Sequence, residues 1–415
     1  MKHIKETSLQ IFGLFKWLFF ALLVGAAGGA IGAAFMTAFH FAVSSFQRLP
    51  WLLYCLPLAG LLIVALYQVT KRENDHGTND VITAGQNGQP VSAWVMPLII
   101  VSTFLTHLTG GSAGKEGAAL QIGGSLGSSV GRIFRLDADG RKLLSLCGMA
   151  AVFSSVFGTP IAASLFVLEF ISVGVILSSA FPAVLISALT ALEVAARLGI
   201  HEDPYPVPPI PSLSLSSAGK TAILALAAGL VSILFCVLLH TSETYSAKLF
   251  KNKYLRVAVG GAAVIIMTLL VGSRVYNGSG SPVIASALAG EHIVPWFFLL
   301  KMLFTAVTIG SGFKGGEIVP TLTIGATLGV TIASLLSLDP VFGAALGMIA
   351  LFSGVTNSMV ASIVLGTELF GFDGILFFSL ASAVSYTVSG NYSLYHTQRI
   401  FFPKTSGRIF SKFSD

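Results

Sequence analysis

The chain has 415 residues, 54% of them hydrophobic and only 10% charged, with a mean hydropathy of +0.83. A soluble domain carries about 25% charged residues, so 24 basic and 18 acidic side chains cannot cover a water-exposed surface of this length. That excludes a cytosolic enzyme, a nucleic-acid binder and a disordered chain, and leaves a polytopic membrane protein whose net charge of +6 marks topology.

In chain order, residues 17–46 hold no Asp, Glu, Lys or Arg. Thirty helical residues reach ~45 Å, beyond the ~30 Å hydrocarbon core, so this helix tilts or runs past the membrane. The run is also too long for a cleavable signal peptide. Residues 51–70 form a second charge-free span. Further apolar segments cover about 92–108, 117–131, 143–168, 171–192, 221–242, 257–273, 294–312, 318–338, 341–367 and 374–398. Several are short or interrupted by Gly, Pro and Ser, which marks half-helices meeting near the midplane. The 44 glycines fit close helix packing.

Basic residues gather at span ends: Lys2, Lys5 and Lys16; Lys71 and Arg72; Arg132, Arg135, Arg141 and Lys142; Lys248, Lys251, Lys253 and Arg256; Arg399, Lys404, Arg408 and Lys412. By the positive-inside rule these face the cytoplasm, both termini included. The Pro-rich stretch 204–211 then lies outside and divides the chain. The expected organisation is a short cytoplasmic segment 1–15, a membrane domain 16–402 with halves of about 16–200 and 212–402, and a short cytoplasmic tail 403–415 without a soluble regulatory domain. Cys55, Cys147 and Cys236 stand alone, and eight His show no metal-ligand spacing, so no metal or cofactor is expected.

The halves look alike. Phe153-Ser-Ser-Val…Glu169 matches Phe352-Ser-Gly-Val…Glu368. Gly111-Ser-Ala-Gly-Lys-Glu-Gly matches Gly310-Ser-Gly-Phe-Lys-Gly-Gly, and Ile122-Gly-Gly-Ser-Leu-Gly matches Ile324-Gly-Ala-Thr-Leu-Gly. The offset is 199 to 202 throughout. Such a repeat argues for two related halves with the site between them.

Acids inside a membrane are costly and default to function. Glu169 and Glu368 are repeat mates near span ends, where capping or interfacial packing is the commoner role. Glu193 precedes Arg197 at i,i+4 and reads as a surface pair. Glu116 differs, because Gly114-Lys115-Glu116-Gly117 opens an apolar helix. A helix N-terminus holds anions through free N–H groups and the dipole. A carboxylate there can occupy the anion's place, and protonating it vacates that place. Glu317, in Gly315-Gly316-Glu317-Ile318-Val319-Pro320, opens another apolar segment, where Ile318 and Val319 offer backbone N–H groups. Gly77-Thr78-Asn79-Asp80 and Gly278-Ser279-Gly280-Ser281-Pro282 are two more Gly-rich starts, at equal spacings (116 − 77 and 317 − 278, both 39). Tyr392 and Tyr395 put two phenols beside an apolar stretch, and such a hydroxyl can donate to an anion.

The run Thr106-His-Leu-Thr-Gly-Gly-Ser-Ala-Gly-Lys-Glu-Gly-Ala-Ala-Leu-Gln-Ile-Gly-Gly resembles the CLC family of chloride channels and anion/proton exchangers. Lys115-Glu116-Gly117 resembles the family's GREGP or GKEGP motif, Glu116 falling on its gating glutamate. Gly316-Glu317-Ile318-Val319-Pro320 resembles its GxFxP motif. Tyr395 falls on its anion-facing tyrosine. The resemblance spans roughly residues 15 to 402. Where the family's GSGIP serine motif is expected, this chain reads Gly77-Thr78-Asn79-Asp80-Val81. Ala118 replaces the proline after GKEG, and Phe170 stands where the chloride exchangers carry an internal proton-transfer glutamate. These departures resemble the fluoride-exporting branch.

The resemblance implies an all-α polytopic fold of two inverted-repeat halves with tilted, broken helices, acting as a homodimer in the inner membrane. It implies fluoride/proton antiport. Glu116 would couple the ions and Glu317 would be a second proton carrier. Gly77, Thr78, Asn79, Gly114, Lys115, Gly117, Ile318, Val319 and Tyr395 would line the anion site. A chloride/proton exchanger, a passive chloride channel and a membrane scaffold are the competing readings. Thr78 keeps a hydroxyl for the first, and the missing internal glutamate suits the second. No nucleophile–base pair or cofactor motif points to an enzyme.

Overall fold

The computed structural model describes residues 2–201, 205–402, 404 and 412–413. Arg408, Pro204 and most of the 403–415 tail lie outside the described residues. The first half contains α1 (Lys2–Arg48), α2 (Leu56–Val69), α3 (Thr78–Asn87), α4 (Val95–Leu108), α5 (Glu116–Ile133), α6 (Ala138–Phe157), α7 (Pro160–Glu169) and α8 (Phe181–Arg197). The second contains α9 (Leu215–Leu249), α10 (Lys253–Val271), α11 (Ser281–Leu288), α12 (Phe297–Gly310), α13 (Ile318–Leu336), α14 (Pro340–Thr356), α15 (Met359–Phe370) and α16 (Ile375–Val388). Each helix of one half thus has a counterpart in the other. A small sheet ties the α7–α8 connection to the C-terminal part of the chain: β1 (Ser172–Val173) runs parallel to β2 (Arg399–Ile400), which runs antiparallel to β3 (Lys412–Phe413).

Seven helical segments are long and apolar enough to cross a membrane, by length and composition. The charge-free run 17–46 lies within α1, whose 47 residues span about 70 Å at ~1.5 Å each. Leu226, Leu230 and Leu234 of α9 recur every fourth residue and are exposed, as a lipid-facing stripe requires. The helices of the centre are buried on all sides. There α5 crosses α6 backbone to backbone: a Cβ at Gly123 or Gly127 would strike Gly148 or Leu144. Gly325 and Gly329 of α13 meet Gly347 and Gly343 of α14 in the same way.

Two long apolar runs are broken where a single helix could be read. Residues 143–168 divide between α6 and α7 at Gly158 and Thr159, and 341–367 divide between α14 and α15 at Asn357 and Ser358. Gly158 and Asn357 both adopt left-handed backbone, φ 72° and 57°. The repeat register is sharper than the motif matching. Gly114 faces Gly316 in an isolated antiparallel bridge, and α5 and α13 start 202 residues apart. The match of Gly111 with Gly310 is therefore three residues off. Because α6 has 20 residues and α14 only 17, the offset falls to 199 by Glu169 and Glu368. Likewise the helix-capping mate of Gly77 is Gly280 rather than Gly278.

Glu169 and Glu368 brace the halves reciprocally. The Glu169 carboxylate accepts from the N–H groups of Val360 and Ala361 (3.0 and 2.8 Å). Glu368 accepts from Ile161 and Ala162 (3.0 and 2.7 Å). Each acid, at the end of its own helix, caps the start of its mate. Glu193 pairs with Arg197 at 2.8 Å on the surface. Bonds to charged acceptors are worth about 1.5–3 kcal/mol each, against about 0–1 for an exposed pair. Glu169→Ala is therefore expected to lower thermal stability in detergent clearly, and Glu193→Ala hardly at all. Equal melting of the two variants would contradict the bracing role.

Candidate functional site

Three helix starts converge. Thr78 opens α3, Glu116 opens α5 and Ile318 opens α13. The last two are fixed by the glycine bridge: Gly114 N–H donates to the Gly316 carbonyl (2.6 Å), and Gly316 N–H to the Gly114 carbonyl (2.8 Å). Small residues are obligatory here. A Cβ at Gly117 would lie 2.9 Å from the Gly316 Cα and 3.4 Å from the Thr78 hydroxyl. Gly77 caps α3 at φ +63°, a conformation that glycine adopts without cost. Three positive helix ends with free N–H groups therefore face one small volume.

The Glu116 side chain fills that volume. It is fully buried. Its carboxylate lies against Gly114 and Gly316 and faces the N–H of Val319. Neither oxygen completes a hydrogen bond with the described residues. A buried carboxylate whose neighbouring N–H groups do not close on it is costly. The arrangement suits a group that can leave, or lose its charge to a proton.

Beside it opens a cavity of about 980 Å³, lined by Gly77, Thr78, Gln121, Glu317 and Tyr395 at its floor. Its rim carries exposed Glu73, His76 and Lys251. Glu317 caps α13, half-buried, with its Oε2 enclosed and unbonded by the described residues. Tyr395 is buried, its ring edge-on to Phe170 at 5.6 Å. Phe170 stacks on Phe166 (4.6 Å), which meets Phe153 at a tilt (5.4 Å), and Phe153 stacks on Phe157, so the position of the missing internal acid is filled by aromatic rings. The segment bearing Tyr395 is anchored by Gln398, whose amide donates to the carbonyls of Phe170 and Thr356 (2.7 and 2.8 Å).

Gly77, Thr78, Gly114, Gly117, Ile318, Val319, Glu116, Glu317 and Tyr395 are thus assembled at or beside one junction. Two further expected ligands have side-chain groups with other partners, though Asn79 also lines the cavity. The Lys115 ammonium lies over the rings of Phe39 and Phe157 (5.6 and 5.8 Å). The Asn79 side-chain oxygen accepts from the N–H and hydroxyl of Thr397 (3.2 and 3.0 Å), tying α3 to the Tyr395 segment.

The sequence reading passed over two residues. Gln121 lies on the cavity floor, and Lys301 is fully buried in α12. Lys301 donates to Ser112 Oγ, the Tyr276 carbonyl and the Gly278 carbonyl (2.9, 3.2 and 2.7 Å). It is the sole charge in the apolar run 294–312, a signal that a search restricted to acids misses.

The sequence description of voltage gated chloride channels matches residues 59–390. A chloride/fluoride channel protein of Pseudomonas syringae pv. tomato is 33% identical over 392 residues, covering 93% of this chain and 86% of the relative. An H(+)/Cl(-) exchange transporter of Vibrio campbellii is 27% identical, covering 86% and 82%. Among solved structures, a CLC-type fluoride/proton antiporter superposes with TM-score 0.90 at 32% identity, over 94% of this chain and 99% of that one. A slow cyanobacterial Cl-/H+ antiporter shares the fold, with TM-score 0.79 at 21% identity over 90% and 94%. The chain belongs to the CLC family of anion channels and anion/proton antiporters.

Because the junction leaves no room at Gly316, Gly316→Ala drives a methyl into the Gly117 amide and toward Glu116 Oε2. Anion flux through reconstituted protein is expected to fall at least about tenfold, since a misplacement of about 1 Å can cost a hundredfold. Flux at the unmodified rate would show that the helix starts are not held this tightly.

Proposed function

We propose that this CLC protein exports fluoride in exchange for protons. One observation carries the reading: the starts of α3, α5 and α13 converge on a fully buried carboxylate, Glu116, that faces backbone N–H groups where an anion would sit and completes no hydrogen bond among the described residues. Fluoride is small and strongly hydrated, so a site must replace its water with close donors. The backbone N–H groups of Thr78, Gly117, Ile318 and Val319, with the Tyr395 hydroxyl, are suited to that. Names of relatives support the choice, since the one at 33% identity is called a chloride/fluoride channel protein and the structure at 32% a fluoride/proton antiporter.

Glu116 alternates between filling the anion place and carrying a proton. With Phe170 in place of an internal acid, Glu317 takes the proton onward, since it lines the cavity and holds one carboxylate oxygen enclosed beside the junction. That cavity is the cytoplasmic vestibule. Its side holds Lys251, Lys253 and Arg256, and Lys253 donates to the Glu73 carbonyl (2.5 Å) beside Lys71 and Arg72. Arg141 reaches the Gly88 carbonyl (3.3 Å) at the end of α3, bringing the 132–142 cluster to the same side. By the positive-inside rule this side and both termini are cytoplasmic in a cell's inner membrane. The protein works as a homodimer with one pathway per subunit. Protons moving inward down their gradient drive fluoride out.

Chloride/proton exchange is the second reading, favoured by the Thr78 hydroxyl at the floor of the cavity and by the Vibrio relative's name. The coupling mechanism is tested by Glu116→Gln in proteoliposomes. The variant is expected to move anions without any accompanying proton uptake. Proton movement stoichiometric with anion efflux in that variant would overturn the role given to Glu116.

A further inference from the structure

Gln121 lies on α5, 3% exposed as a residue, between the N-terminus of α3 and the floor of the cavity. It approaches that N-terminus closely: a Cβ on Gly77 would lie 3.5 Å from its Nε2 and 3.8 Å from its Oε1. Nε2 stands 3.4 Å from the Thr78 hydroxyl. Oε1 is buried and has no partner among the described residues. Placed so, the acceptor oxygen of a cavity-lining residue is enclosed beside the helix starts that present donors to an anion, with no donor of its own. That conflicts with the local electrostatics and leaves a buried oxygen unsatisfied.

The two ends of a carboxamide have the same shape, and a hydroxyl donates as readily as it accepts. Turning the amide end for end keeps every contact. The Thr78 hydroxyl then donates to Oε1, and the two Nε2 hydrogens are left to donate to an anion bound beside them. Every polar atom is satisfied once an anion is present to accept.

We infer that Gln121 is a further anion-contacting residue, its side-chain nitrogen donating to the anion at the start of α3 while its oxygen is held by the Thr78 hydroxyl. This rests on reading the α3–α5–α13 junction as the anion site. It assigns Thr78 two parts: its backbone N–H contacts the anion, and its hydroxyl orients Gln121. The combination favours a small, hard anion, because a primary amide and backbone N–H groups can close around it at short range. It also gives α5 two contributions to one site, Glu116 as the occupant that competes with the anion and Gln121 as a donor that remains.

The test is anion efflux from proteoliposomes loaded with fluoride, with pH followed in parallel. Gln121→Met keeps the length and removes both polar ends. Fluoride efflux is expected to fall at least about tenfold, while the proton-to-fluoride ratio stays unchanged because Glu116 is untouched. Adding Thr78→Val to Gln121→Met is expected to cost little more, since the hydroxyl acts through the amide. Gln121→Asn, which keeps the amide but withdraws it by one methylene, reads the same contact with less disturbance to packing. If either variant, monodisperse in detergent, exports fluoride at the unmodified rate, the inference fails. An unmodified protein that moves no fluoride would instead refute the anion reading of the proposed function.

Discussion

Two backbone hydrogen bonds between Gly114 and Gly316 hold the starts of α5 and α13 in register, and the site depends on them. The bridge lies where the two halves meet head to head, so each glycine is the other's repeat mate. Side chains at these positions would push the helix starts apart. With them absent, Gly117 comes against Gly316 and Thr78, and α3 joins the same junction. Positive helix ends are thereby crowded together at the head of the cavity, where an anion loses most of its water. The geometry is set by backbone, which explains why two apolar residues, Ile318 and Val319, can belong to it.

Repetition supplies the frame and its departures supply the chemistry. In the register of the bridge, Lys115 corresponds to Glu317, and Glu116 to Ile318. Lys115 and Glu317 share backbone angles to within a degree, φ −101° with ψ −15° and −14°. Yet one ammonium turns onto two aromatic rings while one carboxylate borders the cavity. Glu116 puts a carboxylate where its mate puts only an apolar side chain. Equal frames thus carry unequal charges, which the proposed exchange would use as two different ends of a pathway. The crosswise caps by Glu169 and Glu368 show acids used symmetrically for the frame alone.

Much of this was legible in the residues. Charge depletion marked the membrane, and Glu116 stood out because few acids lie in apolar surroundings. Breaks inside continuous apolar runs were harder to see. Gly158-Thr159-Pro160 carries a helix-stop signal, but Asn357-Ser358-Met359 breaks α14 from α15 without proline. α11 is an eight-residue helix that hydropathy cannot separate from its loops. The repeat register was blurred because α6 exceeds α14 by one turn's worth of chain, which a motif match cannot place. Asn79 and Lys115 have the chemistry of anion ligands, and only packing shows that Thr397 and two phenylalanines engage them. Gln121 was hidden for the opposite reason, since a glutamine on a buried helix carries no charge to draw notice.

The proposed fluoride site unites three amide-rich helix starts with a displaceable carboxylate that couples the anion to protons. It is tested most directly by loading liposomes of the purified, unmodified protein with fluoride or with chloride and following anion efflux and external pH together. Fast fluoride efflux, slow chloride efflux and proton uptake that halts when efflux halts are the predicted result. Chloride efflux as fast as fluoride, or fluoride efflux with no proton movement, would contradict it.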